Sequence, residues 1–155
     1  MPPLSYETRL QIALATIRIS IGVFFLVWSL EKILAPEVAQ RVFSTFYFVA
    51  DLPPEVSIAL GIAQTAIVVA FLLGLFRTWT YGTLLVMHAV SVISTWERLA
   101  NPYEPPNHLF WAGVPVLGAL FALFLLRDAD TALSPFAPRR TRPRLEDAEA
   151  DRIKP

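Results

Sequence analysis

A run of 21 residues without a single charge, from Val56 to Phe76, constrains this chain more than any other feature. A helix needs about 20 apolar residues to cross roughly 30 Å of hydrocarbon at about 1.5 Å per residue. Backbone polar groups cannot face lipid unpaired, and the period-two alternation of a membrane strand is absent. The run therefore predicts a membrane-spanning helix.

Three further apolar segments resemble it, so the sequence predicts four spans at about 12–34, 56–76, 79–96 and 109–126. Only 17% of the 155 residues are charged, against about 25% in an ordinary soluble domain. The predicted fold class is all-α, a polytopic membrane four-helix bundle over residues 1–133. The remaining residues, 134–155, alternate basic and acidic runs and are predicted to form a disordered cytoplasmic tail.

The connections on one side are more than simple turns. Pro36–Ala50 is typical of a short amphipathic helix lying in the outer interface, because Val38, Val42 and Phe46 share one face. The other outer connection, Asn101–His108, is rich in proline and is predicted to be extended. An aromatic belt at the interfaces is expected from Trp79, Tyr81, Trp96 and Trp111.

The basic residues predict the orientation. One side carries Arg9, Arg77 and the arginines from Arg127 onward, whereas the other side has only three bases, Lys32, Arg41 and Arg98. The positive-inside rule then places both termini in the cytoplasm, and a bacterial inner membrane is the expected location. The run Arg139–Arg144 is also expected to bind anionic lipid.

Composition excludes several classes of function. A formal net charge of zero argues against nucleic-acid binding. The chain has no cysteine, so thiol chemistry, iron–sulfur clusters and cysteine-ligated zinc are not expected. Haem is not expected either, because the only two histidines, His88 and His108, are predicted to differ in depth by about 12 Å. The sequence contains no phosphate loop, metal-ligand spacing or serine elbow.

Several short motifs resemble the DoxX family of small four-helix membrane proteins. They are Arg18-Ile-Ser-Ile-Gly22, Glu31-Lys32-Ile-Leu-Ala-Pro36, Leu52-Pro53 and Leu72-Leu-Gly-Leu-Phe-Arg77. The resemblance covers about residues 10 to 130 and includes the fourth span, Leu109 to Gly118. It implies a four-helix bundle, and some relatives are associated with respiratory quinone or sulfur-oxidation complexes. Where many relatives carry an acid in the second span, this chain has Gln64.

Three polar side chains lie within the predicted spans. Arg18 can either reach the headgroups or pair with an acid, or it can face a ligand. Gln64 and His88 are expected at similar depth, where they either hydrogen-bond across the bundle or line a polar pocket. Arg18 shares one helical stripe that is expected to face other helices, with Gly22, Phe25, Ser29 and Lys32. Close helix contacts are expected at Gly22, Gly61 and Gly118.

The candidate ligand-binding site combines these three side chains with residues at the outer ends of the spans. Glu31 and Glu97 either are ordinary headgroup-level charges or form the mouth of a pocket bounded by Arg18, Gln64 and His88, with Trp96 beside it. His88 could donate to a quinone carbonyl or relay a proton, whereas Gln64 can only hydrogen-bond. No catalytic residue and no metal site are predicted.

Two functional hypotheses follow. The first is a redox-associated membrane subunit that binds quinone and acts with a membrane or peripheral redox protein, rather than as an autonomous enzyme. The second is a non-enzymatic small-solute permease or a structural subunit of a membrane complex. The first rests on the family resemblance and on His88 and Gln64 as hydrogen-bonding groups. The second gains from the lack of any cofactor motif.

Overall fold

The computed structural model describes residues 3–134, and over this part of the chain the protein is all-helical, as predicted. The predicted tail and the lipid-binding run Arg139–Arg144 lie outside the described residues. The helices are α1 (Tyr6–Leu34), α2 (Pro36–Phe46), α3 (Pro54–Leu72), α4 (Arg77–Ser94), α5 (Trp96–Ala100) and α6 (Gly113–Leu125), with a 3-10 helix at Asn107–Ala112 directly before α6.

The four long helices, α1, α3, α4 and α6, pack side by side around one core. The most extensive contacts join α1 to α3 and α4 to α6, and further contacts between α3 and α4 and between α1 and α6 close the ring. Both main pairs are antiparallel. Gly22 lies against Leu72 while Gly61 lies against Ile33, and His88 contacts Gly113 while Gly82 lies against Phe124. The fully buried core side chains include Val68, Phe71, Leu84, Leu120 and Leu123.

Small residues bring α1 and α3 together. A Cβ on Gly61 would lie 2.7 Å from Ile33 Cγ1 and 2.9 Å from Lys32 Cβ, and one on Gly22 would overlap the side chain of Leu72. These two predicted glycine contacts are confirmed. The third is wrong, because a Cβ on Gly118 would meet nothing within 4 Å. The predicted inward stripe of α1 is confirmed from Arg18 to Ser29, and its last member, Lys32, is half-buried.

Three segments in the described part of the chain are long and apolar enough to cross a membrane: Tyr6–Leu34, Pro54–Leu72 and Asn107–Leu125. The third combines the 3-10 helix with α6. Four spans were expected, but α4 does not meet the same standard, because it begins with Arg77, carries His88 and contains several threonines and serines. Its outward stripe is nevertheless apolar and exposed, at Val86, Val90 and Ile93.

The connections differ from expectation in two respects. The predicted amphipathic helix is present but ends at Phe46, where Tyr47 leaves helical geometry and Phe48 takes a positive φ of 58°. The segment after α4 is not extended. After the short α5, the connection Asn101–His108 forms a series of turns and the start of the 3-10 helix. Asn107 is buried there, and its Nδ2 donates to the carbonyl of Asn101 at 3.0 Å.

Tyr81 was expected at the membrane interface, and this is wrong. Its side chain is fully buried in the core, where its ring packs edge-on against Phe71 with centroids 4.7 Å apart. The three tryptophans of the expected belt are largely exposed, with Trp79 at 79%, Trp96 at 63% and Trp111 at 47%. A tyrosine near the start of a helix can place its amphipathic ring at the membrane interface, or it can be buried if its hydroxyl has a hydrogen-bond partner. Tyr81 is buried because its hydroxyl donates to the buried carboxylate of Asp130.

Candidate functional site

A buried ion pair lies where α1, α4 and the segment after α6 meet. Arg18 Nη1 is 2.8 Å from Asp130 Oδ2, and both side chains are 0% exposed. Tyr81 Oη donates to the same carboxylate oxygen at 2.7 Å. Two charges removed from water need such close partners, because each unpaired ion would otherwise cost several kcal/mol. Of the alternatives for Arg18, the pairing with an acid is the one for which the structure shows the partner.

The same arginine helps to hold the chain after α6 in place. Arg18 Nη2 donates to the carbonyl of Ala132 at 2.5 Å. Gln11 lies about two turns earlier on α1. Its side chain accepts from the backbone N–H of Thr131 and of Ala132 at 3.0 and 2.8 Å, and donates to the carbonyl of Ala129 at 2.6 Å. We name this segment, residues 129–134, the latch.

The turn between α3 and α4 contacts both Arg18 and the latch. Gly74 has a φ of 65°, which favours glycine, and a Cβ there would lie 3.1 Å from both Arg18 Nη1 and Ser134 Oγ. Ser134 Oγ in turn donates to the Gly74 carbonyl at 3.3 Å. Three parts of the sequence that are far apart therefore depend on one another at this end of the molecule.

His88 occupies the interior between α1, α4 and α6. Its Nε2 is 2.8 Å from the carbonyl of Gly113, and its ring packs edge-on against Phe24 and Phe25, with centroids 5.8 and 5.7 Å away. The carbonyl of Gly113 belongs to the first turn of α6, so this contact joins α4 to α6. The histidine is buried and has a hydrogen-bond partner in the helix pair itself.

Within residues 3–134, no hydrogen bond or ion pair joins His88 to the remaining predicted site residues. Gln64 is buried on α3, with 7% of its surface exposed, and its side chain makes no hydrogen bond within residues 3–134. The structure therefore contains no hydrogen bond between Gln64 and His88. Glu31 lies half-buried near the end of α1. Within the same described range, no three acidic or histidine side chains come together as a candidate metal site.

Two of the predicted residues meet in a groove at the opposite end from the latch. This Trp96 groove has a volume of about 500 Å³ and lies between the end of α2, the end of α4 and α5. Tyr47 closes one side by a 2.7 Å hydrogen bond between its hydroxyl and that of Ser91. The groove is lined by Thr45, Phe46, Tyr47, Phe48, Val90, Ile93, Ser94, Thr95, Trp96, Glu97 and Arg98.

A second groove, of about 320 Å³, lies between α1 and α6. Its lining is mostly apolar and includes Ile17, Phe24, Pro115 and Val116. Neither groove is lined by Arg18, Gln64 or His88. The six predicted site residues thus separate into an ion-paired arginine, two buried side chains that do not bond to each other, and an exposed groove that holds Trp96 and Glu97 but not Glu31.

Sequence reasoning missed the residues that pair with Arg18. Asp130 stands five residues beyond α6, where an acid is easily taken for a headgroup-level charge, and Tyr81 was assigned to the aromatic belt. A usable signal was present. Arg18 lies about three turns into α1, and the chain after α6 returns to the same end of the molecule, so an acid there can reach it.

Comparison with protein-family models identifies one match over residues 10–105, more than half of the chain, to the family described as methylamine utilisation protein MauE. Comparisons with curated proteins and with solved structures find no match. The resemblance to DoxX was therefore wrong. Its motifs serve helix packing, as Gly22 and Arg18 show, and any small helical membrane protein has that need. The chain is a membrane protein, and it belongs to the MauE family.

Proposed function

We propose that this protein is an accessory membrane component of a methylamine-utilising system, and that it acts with a partner protein rather than as an autonomous enzyme. The methylamine-utilising system is inferred from the match to the MauE family. The main observation in favour of an accessory role is that the buried polar groups bond within the protein itself. Arg18, Asp130 and Tyr81 bond to one another, and His88 bonds to the backbone of α6.

The redox association predicted from the sequence is retained in this proposal. A chain without cysteine cannot carry electrons on thiols, so any redox step would take place on the partner or on a bound cofactor. Quinone remains the predicted ligand. The groove between α1 and α6 supports it in one respect, since Phe24 lines the groove and contacts the ring of His88.

We further propose that α4 is a fourth span and that the latch end faces the cytoplasm of a bacterial inner membrane. The exposed apolar stripe of Val86, Val90 and Ile93 would face lipid, at the i, i+4, i+7 spacing of one helix face. The latch end carries Arg9, Arg77 and Arg127, and the positive-inside rule favours that side as cytoplasmic.

Reporter fusions test the orientation. Tyr103 is 96% exposed and lies between α5 and the 3-10 helix, so an insertion after it should leave the packed helices intact. A periplasmically active reporter is expected to be active there and inactive at the C-terminus of the full chain. The reverse result would contradict the proposal, because it follows either from an inverted four-span orientation or from a three-span chain without α4. Activity at both positions would mean that Asn107–Leu125 does not cross the membrane.

Growth of the source organism tests the function. We expect deletion of the gene to slow or abolish growth on methylamine while leaving growth on a carbon and nitrogen source without methylamine unchanged. The full-length gene should restore growth. Normal growth of the deletion strain on methylamine would refute the proposal.

Two measurements on the purified protein separate the remaining hypotheses. Organic extraction and mass spectrometry should detect quinone if the ligand prediction is correct. Uptake of labelled methylamine into proteoliposomes should not exceed that of empty vesicles. Uptake above that level would replace the accessory role with the permease alternative.

A further inference from the structure

The Trp96 groove combines two opposite charges with aromatic and apolar walls. Glu97 and Arg98 are adjacent on α5, both are exposed, and both line the groove. Within residues 3–134 neither side chain forms an ion pair, with the other or with a third residue. An acid and a base in this arrangement are available to a ligand that carries both a positive and a negative group.

The aromatic residues favour a particular kind of cation. Phe46, Tyr47, Phe48 and Trp96 all line the groove beside Glu97. The faces of aromatic rings attract ammonium groups, and an adjacent carboxylate strengthens that attraction. Tyr47 is fixed by its hydrogen bond to Ser91, and Phe46 packs against Phe110 with ring centroids 5.6 Å apart. This half of the groove is therefore held in place by α2, α4 and the 3-10 helix.

The apolar half of the groove continues along α4. Val90 and Ile93 line the groove, are 49% and 68% exposed, and belong to the same outward stripe as Val86. A ligand with its charged end at Glu97 and Arg98 could thus extend a hydrocarbon chain along this stripe. A small water-soluble ammonium ion would leave both Arg98 and the stripe unused.

We propose that the Trp96 groove binds a zwitterionic phospholipid. The ammonium group of the headgroup lies between Glu97 and the aromatic side chains, the phosphate lies at Arg98, and an acyl chain follows Val90 and Ile93. Charge complementarity distinguishes this site from an ordinary interfacial surface. A basic surface attracts anionic lipid, whereas a carboxylate in the groove disfavours a headgroup that lacks the ammonium.

Native mass spectrometry of the full chain, released from nanodiscs, tests this directly. The nanodiscs contain equal amounts of phosphatidylethanolamine and phosphatidylglycerol with identical acyl chains. We expect phosphatidylethanolamine to be retained in preference by about three- to thirtyfold, from one cation–aromatic contact and one exposed ion pair. Equal retention of the two lipids, or a preference for phosphatidylglycerol, would overturn the proposal.

Variants assign the preference to the groove. Glu97→Gln should lower the preference by about two- to fivefold, because the cation–aromatic contact remains, and Arg98→Gln should lower the retention of both lipids by about two- to fivefold. Glu37→Gln and Arg41→Gln are the matched controls, since both residues are exposed on α2 and outside the lining. Controls that reduce retention as strongly as the groove variants would place the lipid elsewhere and refute the assignment.

A third variant distinguishes a bound phospholipid from a soluble ligand. Ile93 is exposed, so Ile93→Asn should keep the fold, which size-exclusion chromatography checks. The variant should lower phospholipid retention if an acyl chain follows α4. If Ile93→Asn leaves the retention of phosphatidylethanolamine unchanged while Glu97→Gln lowers it, the groove recognises an ammonium headgroup alone and the phospholipid proposal fails.

Discussion

Replacing Asp130 with asparagine removes one charge from the buried ion pair while almost preserving the shape of the side chain. In the native protein the carboxylate bonds to Arg18 at 2.8 Å and accepts from Tyr81 at 2.7 Å, and neither charged side chain is exposed. The asparagine can still accept a hydrogen bond from the tyrosine. The arginine, however, keeps its charge in a fully buried site, and that charge then lacks a counterion.

The expected cost follows from this geometry. Removing one partner of a buried pair costs about 3–5 kcal/mol, because an uncompensated charge stays buried. At about 1.4 kcal/mol per tenfold change, the unfolding equilibrium should shift by between a hundredfold and a few thousandfold. Arg18 Nε and Asp130 Oδ1 already lack a partner in the described part of the chain. Removing both charges together, as Arg18→Met with Asp130→Leu, should therefore cost less than Asp130→Asn alone.

Equilibrium unfolding in mixed detergent micelles measures the free energy of unfolding for each variant. Asp128→Asn is the matched control, because Asp128 is an acid two residues away, is 87% exposed and lies 3.9 Å from Arg127. That exposed pair should be worth no more than about 1 kcal/mol. The reasoning is refuted if Asp130→Asn costs no more than Asp128→Asn, or if the double variant is less stable than the single one.

Three further predictions address packing and the latch. Gly61→Ala should destabilise the protein by about 1–3 kcal/mol through the tight contact of α1 with α3, whereas Gly118→Ala should be nearly neutral in the same unfolding assay. His88→Ala should cost about 1–3 kcal/mol, because a backbone carbonyl of α6 loses its partner, and a loss within error would show that the histidine does not join the helices. Gln11→Leu should release the latch, so limited proteolysis in micelles should cut between residues 129 and 134 faster than in the native chain, and unchanged cleavage would contradict that role.

Hydrophobic patterning was sufficient to predict the class of fold. The uncharged run that begins at Val56 became α3, and the stripe that begins at Arg18 faces the other helices. These predictions succeed because burial and lipid exposure act on every turn of a helix. The amphipathic α2 was also found, but its end at Phe46 was not, since hydrophobic periodicity does not encode the positive φ of Phe48.

The candidate site was predicted less well, because periodicity gives the face of a helix but not the partner of a side chain. Gln64 and His88 were placed in the interior correctly, yet His88 bonds to the backbone of α6 instead of to the glutamine. A backbone carbonyl carries no signature in the sequence. Trp96 and Glu97 do share a groove, and the groove owes its other wall to the end of α2, which is more than 45 residues earlier in the chain.

The ion pair shows why an intramembrane charge has more than one explanation. Arg18 is expensive to bury alone, so its presence in a span points to a ligand, a headgroup or an acid. The acid proved to be Asp130, outside the last helix and brought back by the latch. An arginine near one end of a span therefore calls for a search of the segments that return to that end, before any ligand is invoked. In this protein the groove at the other end has the unpaired charges, since Glu97 and Arg98 have no internal partner within residues 3–134. The buried ion pair and the charges available to a ligand thus lie at opposite ends of the molecule.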